Sequence, residues 1–96
     1  MSDAAEDAIR RGERAQSLLE DPLFRDTWET LEAEILHQWR DSPVRDTEGR
    51  ERLFMAIRLL ERLRGLFEAH VANGKLASAR IDDLRRDQAL RQTFGA

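Results

Sequence analysis

The stretch from Asp46 to Val71 (DTEGRERLFMAIRLLERLRGLFEAHV), closed by Asn73-Gly74, constrains this chain more than any other part of it. On a helical wheel of about 100° per residue, Leu53, Ala56, Ile57, Leu60, Leu63, Phe67 and Val71 form one continuous apolar face. Met55, Leu59 and Leu66 form a second face beside it, and Arg50, Arg58, Glu61 and Glu68 occupy the remaining arc. A helix with one wet side needs only a single apolar stripe. A helix that is apolar over more than half its circumference is sandwiched between partners.

The segments around it supply candidates for the first partner. Asp21-Pro22 reads as the start of a second helix, because Asp caps the free backbone amides and Pro lacks the N–H that would go unpaired at the next position. From Asp21 to Trp39, Phe24, Trp28, Leu31, Ile35 and Trp39 recur at spacings of three and four, a clean stripe. Asp41-Ser42-Pro43-Val44-Arg45 breaks this helix, since Pro43 disfavours helical geometry at Ser42. Asp46 or Thr47 then caps the long helix. A connection this short joins antiparallel neighbours, so the expected core is a hairpin of Asp21–Trp39 against Asp46–Val71.

The flanks are weaker. Asp3 to Glu20 reads as a first helix whose stripe (Ala5, Ala8, Ile9, Gly12, Gln16, Leu19) is small. Its early acids Asp3, Glu6 and Asp7 suit the positive end of a helix dipole, while Gly12 predicts a loosely docked element or one ordered by a partner. Gly74 predicts a stop, and Lys75 to Thr93 a last helix. The last helix's apolar residues split into Leu76/Ala79/Leu90 and Ala77/Ile81/Leu84, which predicts docking as far as Leu84 and fraying or intermolecular contact beyond it. The expected fold is therefore all-α, a single domain over 1–96: an antiparallel helical hairpin (21–74) with flanking N- and C-terminal helices, forming a small helical bundle.

Charge adds an asymmetry. Residues 1–44 hold 11 acids and 5 bases, about −6, whereas residues 45–96 hold 8 acids and 11 bases, about +3. Halves of opposite sign attract within one fold or between subunits. Solvated, locally paired helix faces account for the same charges without any partner. The cations are 15 Arg and the single Lys75, and Arg suits interfaces because its planar fork pairs carboxylates in bidentate fashion.

Chemistry-bearing constellations are sparse. With no cysteine, disulfides, thiolate catalysis and Cys-based zinc sites drop out. Glu34 and His37 match the Glu-x-x-His spacing of di-metal bundle sites, but that site needs a second such pair, and Phe67 stands three residues before the other histidine, His70. Ser2, Ser17, Ser42 and Ser78 lie in no nucleophile elbow, no glycine-rich phosphate loop occurs, and neither histidine has an evident nucleophile to activate. The reading is a non-enzyme without cofactor, metal or small-molecule substrate. Arg80, Arg85, Arg86 and Arg91, or Arg10, Arg11 and Arg14, could contact nucleic-acid phosphates. Asp82, Asp83 and Asp87 interrupt the first set and Glu13 the second, and an isoelectric point near 5.4 lacks a basic footprint. The N-terminus has no apolar signal region and no run is long enough to span a bilayer.

From Asp21 to about Leu84 the chain resembles a group of small helical proteins encoded by tailed bacteriophages and prophages. The residues that carry the resemblance are the DPLF start, TLEAEILHQWRDSPVRDTEGRERL and LERLRGLFEAHVANGKLA; they contain no catalytic or ligand motif. The resemblance implies a phage role, in the virion or its packaging machinery, and hence the cytoplasm of a bacterial host. The expected function is a protein-binding component of such an assembly, partnered by further copies of itself or by other phage proteins. A DNA-packaging accessory similar to a small terminase subunit, or an inhibitor of a host or defence protein, are the alternatives. Trp39, Met55, Leu59 and Leu66 are the expected partner-binding residues, joined by Arg85 and Arg86.

Overall fold

A computed structural model describes residues 3–94, all but six of them helical; Ser2 and the two ends of the expected 1–96 domain lie outside that range. Three α-helices follow in order: α1 (Asp3–Glu20), α2 (Pro22–Asp41) and α3 (Thr47–Phe94). The expected all-α class is what forms. A small compact bundle is not. The molecule is a rod of 75 × 26 × 19 Å with a radius of gyration of 21.3 Å, where a compact chain of this length has about 12.5 Å.

Asp21 is the one non-helical residue between α1 and α2. Its carboxylate accepts a hydrogen bond from the Phe24 amide at 2.9 Å, and its own amide donates to the Leu18 carbonyl at 3.2 Å. Pro22 follows at the first helical position, as the sequence predicts. Asp46 caps α3 in the same manner, with the Gly49 amide donating to Oδ1 at 3.1 Å.

The stop expected at Asn73-Gly74 does not occur. α3 runs through it for 48 residues, so the long helix and the expected last helix are one element. Gly74 keeps right-handed helical geometry and is buried, because α1 crosses there. A Cβ added to Gly12 would lie 2.8 Å from the His70 carbonyl oxygen and 3.0 Å from the Gly74 Cα; one added to Gly74 would lie 3.0 Å from both the Ala8 carbonyl oxygen and the Gly12 Cα. The two backbones touch, which only glycine permits. A mid-helix glycine costs about 1 kcal/mol relative to alanine, and the close approach offsets it with contacts that no side chain could reach. Gly12, read as a sign of loose docking, is thus where α1 is held most closely.

α1 and α2 lie one after the other along α3. Ile9, Gly12 and Gln16 flank Val71, Gly74 and Ser78. Phe24 stacks edge-on to Phe67 with ring centroids 6.0 Å apart, Arg64 lies over Trp28, and Arg50 lies over Trp39. Numbers rise along α1 and α2 as they fall along α3, so both oppose it in direction. The stretch expected to pair wholly with the Trp-bearing helix is therefore shared: its start faces α2, while Val71 meets α1. Beyond the buried Ile81, α3 continues past the docked part of α1, leaving Leu84, Leu90 and Phe94 exposed.

Candidate functional site: an uncovered apolar face

A rod two helices wide buries little. Gly12, Ala15, Gly74 and Ile81 are the buried residues among those described. The accessible surface is 7953 Å², against about 5,700 Å² for a compact monomer of this mass. The difference, about 2,300 Å², is surface that a globular chain would have hidden.

Part of the exposed surface is a continuous apolar stripe. On α3, Met55, Leu59, Leu63 and Leu66 are exposed by 58%, 66%, 45% and 43%. Their spacings of four, four and three put them on one side of the helix. Three of the four follow from the sequence. Leu63, read there as part of the packed face, sits at its edge and opens toward the second one. One turn further on is His70, which with Phe67 lines an open groove of about 770 Å³. The opposite wall of that groove is α1, through Arg11, Arg14 and Leu18. The stripe on α3 thus runs into a shallow depression at the α1–α2 break, lined by Ala15, Leu18 and Phe67 and by charges of both signs, Arg11 and Arg14 with Glu13 and Asp21.

Trp39 does not belong to this face. It lies near the turn, 37% exposed, with the Arg50 guanidinium 4.4 Å above its ring centroid. Arg50 also donates to the Trp39 carbonyl (3.2 Å), the Ser42 carbonyl (3.3 Å) and Ser42 Oγ (2.8 Å). The Trp39 carbonyl also accepts from the Ser42 amide at 3.3 Å and the Ser42 hydroxyl at 2.6 Å, so Arg50 joins the cap at the end of α2. Arg50, assigned by the wheel to the solvated arc, is the clasp of the α2–α3 turn. The sequence signal for it was the pairing of an Arg one turn into α3 with a Trp one turn before the break.

The remaining charges are paired only locally. Among the described residues every ion pair joins positions three or four apart on one helix: Asp7 with Arg10 and Arg11, Arg58 with Glu61, and Asp83 with Arg86; His37 Nε2 likewise lies 3.0 Å from the Asp41 carboxylate one turn on. Arg85 and Arg86 stand on the uncovered end of α3, and Arg86 reaches Asp83 at 3.6 Å. Glu34 and His37 are exposed, and no group of three or more metal-ligating side chains comes together among the described residues. No described helix is long and apolar enough to cross a membrane. No known family, curated protein or solved structure matches the chain.

Proposed function

We propose that this chain is a non-enzymatic interaction protein of a phage-type assembly, in which α1 and α2 fold back along α3 as one long hairpin and present the Met55/Leu59/Leu63/Leu66 face to another protein. The observation that carries this reading is the exposed surface, about 2,300 Å² beyond that of a compact monomer, with a continuous apolar stripe in its midst. Water contact along such a stripe is unfavourable by about 25 cal/mol per Å², so a binding partner gains by covering it. The phage setting rests on the resemblance of residues 21–84 to small phage and prophage proteins.

The test is to produce the chain with and without Leu59→Glu and Leu66→Glu in cells carrying the encoding phage or prophage, and to fractionate particles and their precursors. The parent chain is expected to sediment with them and the substituted chain to remain at the top of the gradient. Equal distribution of the two would contradict the reading.

A further inference from the structure

We infer that the partner on the Leu59/Leu66 face is a second copy of this chain, packed so that α3 of each copy lies against the α1–α2 arm of the other in an antiparallel four-helix rod. This rests on the interaction reading above and names its occupant.

Three observations select a second copy. The first is area: hiding about 2,300 Å² on each of two chains falls in the range of obligate homodimers, about 2,000–5,000 Å² in total. The second is charge. α1 carries 5 acids and 3 bases and α2 carries 5 acids and 2 bases, whereas α3 carries 7 acids and 10 bases. The α1–α2 arm is net acidic and α3 net basic; the acidic excess is greatest on α2, while in α1 it lies in Asp3, Glu6 and Asp7, ahead of Arg10, Arg11 and Arg14. Within the chain that complementarity is unused, since every ion pair among the described residues is internal to one helix. The third is shape: a straight apolar stripe of about 22 Å, from Met55 to His70 at about 1.5 Å per residue, is matched by another straight helix, which a second copy supplies.

Charge also chooses between the two face-to-face arrangements. A two-fold axis across the rod would set α3 on α3 and the acidic arms on each other, like against like. An axis along the rod sets α3 on the partner's acidic arm; adjacent helices are antiparallel in both arrangements, so charge alone separates them. The contacts of Phe24 with Phe67, Trp28 with Arg64 and Trp39 with Arg50 fix the levels along the rod. Arg58 and Arg62, exposed beside the stripe, then stand level with the partner's Asp26 to Glu34 segment, whose Asp26 and Glu34 are exposed.

Sedimentation equilibrium of the purified full chain tests this. The expected mass is twice 11.1 kDa, and the association weakens with added salt. Leu59→Glu with Leu66→Glu gives a monomer of unchanged helix content. Arg58→Glu with Arg62→Glu weakens dimerisation at least about tenfold, as does Asp26→Arg with Glu34→Arg. The chain carrying all four reversals regains the dimer. A dimer indifferent to the leucine changes, or no recovery in the fourfold variant, overturns the arrangement. A monomer that stays extended in solution overturns the second copy and leaves the face to a different protein. A monomer that is compact overturns both the copy and the interaction reading.

Discussion

Gly12→Leu is expected to detach α1 from α3 and lower the stability of the chain by about 1–3 kcal/mol or more. Leucine is intrinsically a better helix residue than glycine by up to about 1 kcal/mol, so the local preference favours the variant. Sterics oppose it and win. The first carbon alone would stand 2.8 Å from the His70 carbonyl oxygen, a backbone atom that cannot swing aside, and three more carbons follow it. The helices have to separate, and α1 then loses the close packing that buries Gly12, Ala15 and Gly74. Faster proteolysis at Arg10, Arg11 and Arg14 and a lower urea midpoint report the loss. Gly65 is the control: nothing lies within 4 Å of a Cβ placed there, so Gly65→Ala raises stability by about 1 kcal/mol or slightly less. A destabilised Gly65→Ala chain, or an unaffected Gly12→Leu chain, would count against this packing.

Arg50→Ala is expected to cost about 2–3 kcal/mol. The guanidinium makes three hydrogen bonds across the end of α2 and lies over Trp39. Charged hydrogen bonds of this kind contribute about 1.5–3 kcal/mol and the cation–ring contact about 0.5–1 kcal/mol, with part of each screened because the site is half open to water. Arg50→Lys recovers part of this, since all three bonds come from one nitrogen, Nη1, which an ammonium can replace, whereas the flat contact with the Trp39 ring is lost. Urea unfolding followed by tryptophan emission measures both. A lysine variant as stable as the parent would show that charge alone, without the planar fork, holds the turn.

These two positions also mark where sequence reading runs short. The elements with local causes are legible: Asp21-Pro22 starts α2, Pro43 ends the region around it, and Asp46 starts α3, each through a bond or a missing N–H within four residues. The wheel likewise separates the exposed Met55, Leu59 and Leu66 from the half-buried Leu53, Ile57 and Leu60. Gly74 fails because glycine carries two meanings. It ends a helix when its backbone turns left-handed, and it lets two helices touch when its backbone stays right-handed. Only the presence of Gly12 opposite decides between them, and that is a contact between residues 62 positions apart. Compactness fails for a related reason. Apolar periodicity tells how much of a helix wants cover, not whether the cover comes from the same chain.

Small-angle X-ray scattering of the purified chain tests the central claim, that this sequence forms an extended rod with an uncovered apolar face. The account predicts a radius of gyration at or slightly above 21.3 Å and a greatest dimension near 75 Å, with one chain or two side by side. A radius of gyration near 12.5 Å, the value for a compact monomer, would contradict it.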